Sequence, residues 1–462
     1  MSVIGGAKKL FSRSKIVPSS PAAPIIPSTA PLSAERAHRK ITWIVIGCGQ
    51  RGKVYSRYAL KHPELCSIVA FAEPRSQTRT LFAKQFNITD ELAFSSWEAL
   101  LEANQSYKAQ NDGRNLADAV VVAVADAMHF AVVSAFVKEG FDILCEKPLA
   151  TSIRDCVRIA NAVNAAGVVF GCGHDRLLKQ LGDLVNVVHI EPVGYFHFAH
   201  SYVRGNWNKE ATSSFSLMTK SCHDIDVLCH WFKGEQPTRV SSFGSLSHFR
   251  KQGKPPAAGN ATRCLDCPAE QMCAYSAKKI YLDPMRHGNS GWPVDTIIDG
   301  IPDIENVTEA LKTTPYGLCV YESENDVVDH QVVNIEFANG ATASFTMVAF
   351  TSLICQRQSR LHFTHGEIVG DGASYTVTNF TTGDSKKYYP ASGGGHGGGD
   401  LGLSEAFVKA VAENNQNVLG TDVNEVLKHH LMVFAAEKSR RDGVVVDCVA
   451  FEQDVRAQVG TA

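Results

Sequence analysis

From residue 41 to about 170, short and nearly uninterrupted apolar runs alternate with amphipathic stretches. ITWIVIG, starting at Ile41, reads as a buried strand, and the helix after it starts near Arg51. SIVAFAEP (67–74) is a second strand ending at Glu73, followed by a helix from Thr78 to Phe86 and a short one near Ser96 to Glu102. The polar stretch KAQNDGRN reads as a surface loop. AVVVAVA (119–125) has no polar face, which suits a central parallel strand covered on both sides. A helix from His129 to Glu139, the strand FDILCE, a helix from Ile153 to Ala165 and the strand VVFGCG continue the alternation. Such a pattern predicts a doubly wound parallel sheet with right-handed crossovers.

Beyond about residue 180 the texture changes. VNVVHIEPVGYFHFAH, VSSFGSLSHF, QVVNIEFANGATASFTMVAF, SRLHFTHGEIVG and ASYTVTNFT are longer strand-like runs joined by turns such as Asn339-Gly340. They predict an α+β domain with a large, mostly antiparallel sheet, interrupted by a helix over 215–232. The glycine-rich stretch 392–400, with His396 and Asp400, reads as a mobile cover or a tight interdomain turn before helices at 402–413 and 422–440. The expected organisation is an α/β chain: a disordered tail (1–40), a dinucleotide-binding domain (41–175), a second domain (176–443) with an insertion near 250–300, and a C-terminal tail (444–462).

A length of 462 residues is consistent with two domains. The near balance of 45 basic and 47 acidic side chains argues against a nucleic-acid or anionic-membrane partner, and no apolar stretch is long enough for a membrane span. The 13 cysteines are odd in number, lack the spacing of a secreted scaffold and follow no signal-peptide core, so a reducing, cytoplasmic compartment is expected. Lys8, Lys9, Arg13 and Lys15, with no acid before Glu35, leave a mitochondrial targeting segment open; PSSPAAPIIPSTAP reads more simply as a disordered tail.

Gly47, Gly49 and Gly52 form G-x-G-x-x-G between the first strand and its helix. The first glycine permits the tight turn, the second lets a pyrophosphate approach the backbone, and the third lets helix and sheet pack closely. With Gln50 and Arg51 they make the expected phosphate-binding end of a Rossmann domain. Glu73 is positioned to bind the adenosine ribose hydroxyls and to repel a 2′-phosphate, favouring NAD; Arg75 could pair with that phosphate and admit NADP.

CEKPLA (145–150) and KSCHDIDVLCHW (220–231), together with the glycine turn, resemble the glucose-fructose oxidoreductase / inositol dehydrogenase / rhizopine catabolism (Gfo/Idh/MocA) family from Ile41 to about Gly443. The resemblance implies a Rossmann domain, a second domain built on a large open sheet that commonly mediates homodimer or homotetramer contacts, and a substrate between the two. It places Lys147 of the E-K-P motif beside the nicotinamide and the reacting hydroxyl, with Glu146 in the cofactor set. A lysine at the carboxyl end of a parallel strand points into the ligand crevice of such sheets and can hold or donate a proton there. Asp126 and His129 fall where the family contacts the nicotinamide side of the cofactor.

The family's catalytic histidine maps to His223, but the aspartate four residues earlier maps to Thr219, which supplies no carboxylate. Lys220 is adjacent, and on a helix Thr219 and Lys220 both lie within one turn of His223. Asp224 and Asp226 are given no catalytic role, and Trp231 is expected to pack. In HFAHSYVRGNW (197–207), read as a strand end, His200, Tyr202, Arg204 and Trp207 suit a hydroxylated or anionic substrate.

Cys264, Cys267 and Cys273 form C-x-x-C-P-x-x-x-x-C. A structural zinc with His287 or Cys319 as fourth ligand, free thiols and a disulfide all remain open; zinc would staple the 250–300 insertion rather than conduct chemistry.

The resemblance implies an NAD(P)-dependent oxidoreductase moving hydride between a nicotinamide and a secondary alcohol or ketone of a sugar, inositol or related polyol. Two other activities exist among similar proteins. One is redox-assisted glycoside cleavage with retained nicotinamide. The other is non-catalytic dinucleotide binding by a transcriptional regulator.

Overall fold

The chain is described here by a computed structural model covering residues 39–171, 181–232, 234–389 and 399–460. Most of the expected N-terminal tail, and His396 in the glycine-rich stretch, lie outside the described residues.

The alternating first third forms β1 (Ile41–Ile46), α1 (Gln50–Lys61), β2 (Cys66–Ala72), α2 (Ser76–Phe86), β3 (Ala93–Phe94), α3 (Trp97–Gln110), β4 (Ala119–Val122), α4 (His129–Lys138), β5 (Asp142–Cys145), α5 (Ile153–Ala166) and β6 (Phe170–Gly171). Its six strands are parallel in the order β3-β2-β1-β4-β5-β6, a doubly wound Rossmann sheet. Successive side chains enter opposite cores, which is why the strands lack a polar face. Ile44, Ile46, Val120 and Val122 pack on one side, Trp43, Val45, Ala119 and Val121 on the other. The expected KAQNDGRN loop is helical over its first three residues. Lys108 reaches the Glu139 carbonyl (2.9 Å) and buried Asn104 accepts from the Leu116 amide (2.8 Å), so the polar run is partly the satisfied end of α3.

The second part contains β7 (Leu184–Pro192), α6 (Tyr195–Phe198), α7 (Ser216–Trp231), β8 (Pro237–Ser245), α8 (Asp283–Arg286), α9 (Ile304–Thr313), β9 (His330–Phe337) and β10 (Thr342–Val348). It continues with β11 (Gln358–Phe363), β12 (Gly366–Gly370), β13 (Tyr375–Asn379), β14 (Ser385–Tyr388), α10 (Gly399–Glu413), α11 (Val423–Asp442), β15 (Val446–Asp447) and α12 (Cys448–Gly460). Nine strands run β14-β13-β12-β11-β7-β10-β9-β8-β15, antiparallel except for β7 with β10. Gly340, at φ +83°, makes the β9–β10 turn as expected.

Two expectations need correction. GYFHFAH is not strand: β7 ends at Pro192, Gly194 turns at φ +95°, and α6 runs on as a π-helix over Ala199–Arg204. A short aromatic run has no periodicity long enough to distinguish the two. Residues 444–460 are not a tail: β15 extends the second sheet and α12 packs on α5 and β8, burying Cys448 and Val455. α10 covers the first sheet through Phe407, and α11 lies between α5 and α7, so the last helices tie both sheets together.

Candidate active site

The glycine turn is built as a phosphate cradle requires. Gly47 has φ +89°, and a Cβ there would fall 2.4 Å from the Ala123 carbonyl oxygen; at Gly52 it would fall 1.9 Å from the Gly47 oxygen. At Gly49 it would meet only the Arg75 Nη2, at 3.7 Å, so the backbone is open on the side a pyrophosphate would approach. α1 has no acidic residue in its first turn, and the amides of Gln50, Arg51 and Gly52 lack intrahelical acceptors. These features fit a dinucleotide.

The side chains of Gln50 and Arg51 are engaged elsewhere. Gln50 Nε2 donates to Asp295 Oδ2 (2.6 Å), while Arg51 pairs with Glu146 and with Asp400 (2.7 Å), so what they offer a phosphate is backbone. Glu73 is buried and accepts from the Cys48 amide (2.9 Å) and from the Arg75 amide, Nε and Nη2 (3.0, 2.8 and 2.9 Å). Burial would raise its pKa, but the Arg75 bonds and the amides outweigh that and hold it below the usual range.

At the carboxyl ends of β4 and β5 the residues expected on the nicotinamide side meet α7. Lys147, half-buried, donates from Nζ to the Thr219 carbonyl oxygen at 2.8 Å, spanning the two sheets' domains. Glu146 fixes the Lys147 backbone by accepting from its amide (3.0 Å) and takes a further bond from Tyr55 (2.7 Å). Against the cost of burial, Arg51 and Lys147 keep the Glu146 carboxylate ionised. Asp126 accepts from Trp207 Nε1 at 2.9 Å, and burial pushes its carboxyl up against the pull of His129 and Lys147. His129 plays a supporting part: its ring nitrogens lie 2.6 Å from the Pro148 oxygen and 3.3 Å from the Val124 oxygen, bracing the loop after Lys147.

His223 sits half-buried one helical turn from Thr219, and no described residue hydrogen-bonds its ring. Burial, with help from Arg357 and Lys147 and against Asp224 and Asp226, lowers it from 6.5 to about 4. It is therefore neutral near pH 7, the form that can accept a proton. Lys220 Nζ lies 3.1 Å from Glu191 Oε1 and 2.9 Å from Cys355 Sγ. Arg357 Nε is 2.8 Å from the other Glu191 oxygen and 2.9 Å from Asp224, which also meets His189 (3.2 Å). These buried charges balance as two cations and two anions, leaving the Lys147 ammonium beside the neutral His223. Asp224 belongs to this network, and Asp226 pairs with His429.

The four expected substrate residues divide. Trp207, half-buried, stacks on Tyr202 and donates to Asp126, whereas Tyr202 is itself fully buried in the core of the second domain. Arg204 is turned away and buried, donating to the Leu318 and Tyr275 carbonyls (both 2.7 Å) and the Cys264 sulfur (3.4 Å). His200 bonds Tyr281 (2.8 Å), and burial drops it to about 4. Both anchor the insertion. Sequence reasoning missed His197, whose Nδ1 lies 3.3 Å from Cys355 Sγ, and Trp292, whose half-exposed ring meets His197 edge-on at 4.9 Å. Cys355 and Trp292 come from irregular segments far along the chain, where no local period marks them.

The described cysteines are all free thiols, so the disulfide alternative does not hold for Cys264, Cys267 or Cys273. Among the described residues no group of three or more His, Cys, Asp or Glu side chains is arranged to hold a metal ion, and the zinc expectation gains no support.

The family profile described as an oxidoreductase family with an NAD-binding Rossmann fold matches residues 41–174, and that family's C-terminal alpha/beta profile matches residues 178–448. The chain belongs to the Gfo/Idh/MocA oxidoreductase family. Among curated members, YteT of Bacillus subtilis (strain 168), whose name gives no substrate, is 22% identical over 324 residues, 63% of this chain and 72% of that protein. The 2,7-anhydro-N-acetylneuraminate hydratase of Escherichia coli (strain K12) is 27% identical over 45% of this chain and 54% of its own length. Inositol 2-dehydrogenase 2 of Saccharopolyspora erythraea is 32% identical over 26% of this chain and 36% of its own. The match thus spans about half, or less, of the last two. The fold is shared with a levoglucosan dehydrogenase solved with NADH and levoglucosan, at a TM-score of 0.60 and 16% identity over 89% of this chain and 100% of that one.

Proposed function

We propose that this family member is an NAD-dependent dehydrogenase acting on a secondary alcohol of a sugar, inositol or related polyol. The observation that carries the reading is the Lys147 ammonium, held 2.8 Å from the Thr219 carbonyl at the mouth of the Rossmann crevice, with a neutral His223 one turn along the same helix. The nicotinamide, when bound, supplies the hydride acceptor or donor. The α1 amides and the Gly49 backbone would receive the pyrophosphate, and Glu73 the adenosine ribose. Lys147 Nζ would bind the reacting oxygen and stabilise its developing charge, while His223 takes the hydroxyl proton during oxidation and returns it during reduction. Asp126, fixed by Trp207, would line the nicotinamide side, and the exposed ring of Trp292 offers an apolar face for a sugar ring. The open face of the second sheet would be covered by a further copy of the chain in a homodimer or homotetramer.

Thr219 where the family resemblance implies an aspartate, and a hydratase among the relatives, favour one second reading: reversible oxidation that leaves no net reduced cofactor. Purified protein incubated with NAD or NADP and a panel of sugars, inositols, polyols and glycosides separates the two. Near-ultraviolet absorbance of reduced nicotinamide that grows with one substrate, and disappears in Lys147→Ala, is the expected result. Substrate conversion with flat absorbance would replace the dehydrogenase reading by the second one.

A further inference from the structure

The insertion places an aspartate, Asp299, against the start of α2 beside the cofactor site. An adenosine 2′-phosphate, lying just beyond the β2 carboxyl end, has two sources of positive potential to draw on: the Arg75 guanidinium and the N-terminus of α2. Both are occupied by carboxylates. Arg75 is folded back on Glu73 through three hydrogen bonds. α2 has no side-chain cap of its own and no acid in its first turn. Its orphan donors are satisfied instead by Asp299, more than two hundred residues later in the chain. One Asp299 oxygen accepts from the Thr78 amide (3.1 Å) and the Thr78 hydroxyl (2.8 Å), and the other accepts from the Gln77 amide (3.2 Å).

The contact is close and anchored at a second point. Gly300 has φ +109°, and a Cβ there would fall 2.0 Å from Gln77 Oε1, so the Asp299-Gly300 turn is pressed against the start of α2. Four residues before Asp299, Asp295 bonds Gln50 at the start of α1, where the pyrophosphate would lie. Gln50 and Thr78 are thereby clasped by one short stretch of the insertion.

We propose that Asp299 is a specificity-determining residue: together with Glu73 it excludes NADP and confines the site to NAD. This rests on the reading of a dinucleotide along the glycine turn. A 2′-phosphate would have to displace Asp299 from its three donors and would meet Glu73 as a second like charge, whereas the ribose hydroxyls of NAD ask for neither change.

The test is equilibrium binding of NAD and of NADP to the full chain by calorimetry, for the wild type, Asp299→Ala and Asp299→Asn, with circular dichroism to confirm folding. The readout is the ratio of the NADP to the NAD dissociation constant. The wild type should favour NAD, and both variants should lower the ratio by about tenfold or more, equivalent to about 1.4 kcal/mol. Asn keeps an oxygen to accept from Thr78, so it preserves the cap should Ala not fold. A ratio unmoved in the folded variants, or a wild type that prefers NADP, would overturn the proposal while leaving dinucleotide binding intact. A wild type that binds neither nucleotide would overturn both.

Discussion

If the Lys147 ammonium holds the reacting oxygen, its removal should damage chemistry far more than cofactor binding, because its Nζ bonds the Thr219 carbonyl and not the glycine turn or Glu73. Lys147→Ala is expected to lower kcat by about 10²- to 10⁴-fold, the usual range for a positioned acid–base group, with the NAD dissociation constant changed little. Steady-state kinetics alongside calorimetry would reveal the opposite pattern, intact kcat with weakened binding, if Lys147 merely bridged domains. Two histidines that desolvation keeps neutral, buried His200 and half-buried His223, make a second prediction at this scale. Burial holds His223 and His200 neutral down to about 4, while in the unfolded chain they titrate near 6.5. Between those values the unfolded chain binds protons that the folded chain refuses, so their neutral burial costs nothing above about 6.5 and progressively destabilises the fold as pH falls toward about 4. Tm should therefore drop across that window, and His223→Gln should flatten part of the slope; a slope identical to wild type would contradict the assignment. The positions of Lys147 and Glu73 at strand ends and of His223 on a helix were readable in the sequence because they sit at fixed points of strand, turn and helix patterns. Arg204 and His200 were not, since a dense polar-aromatic stretch does not reveal which side chain finds a backbone carbonyl and which faces the crevice.

The elements were legible where a pattern was long or a turn chemically constrained. Five of the six strands of the first sheet, all but the two-residue β3, and the Asn339-Gly340 hairpin follow directly from burial on two faces and from the φ +83° that Gly340 adopts. The π-helical continuation of α6 was not, because aromatic residues in a short run suit either a buried strand or a buried helix. α12 was hidden for a different reason: its apolar positions bury against α5 and β8, partners no local window contains. Deleting residues 444–462 tests that packing. Losing α12 and the edge strand β15 would uncover the apolar surface that Phe451 and Val455 cover in the two cores. Each large apolar side chain lost from such a core costs about 1.5–3 kcal/mol. The truncated chain should unfold at markedly lower urea concentration or fail to accumulate in soluble form; a midpoint equal to that of the full chain would restore the reading of this segment as a tail.

At the scale of the whole molecule, the two sheets are used differently. The first is covered on both sides, with α10 and α11 returning from the far end of the chain to complete it. Among the described residues the second is covered by α7 and α11 on one side, and its strand register lines up Phe243, Val332, Thr346 and Ile190 as a row across the other face. Phe243 is 69% exposed there and Val188, one row along, 37%. Apolar Phe243, Val332 and Ile190 lie in this row with Thr346, and in the homo-oligomer proposed above the row would serve as the self-complementary face from which closed assemblies commonly form. Pairing two copies through this face would leave both Rossmann crevices open, since Lys147 and the glycine turn belong to the other sheet. Val188→Lys combined with Phe243→Lys places like charges across the symmetric interface, so sedimentation should shift from dimer or tetramer toward monomer while NAD binding persists. Because Phe243 and Val188 make no part of either core, the fold itself should tolerate the change. An unchanged sedimentation coefficient in a folded double variant would move the interface elsewhere, and a monomeric wild type would remove the role assigned to the open sheet.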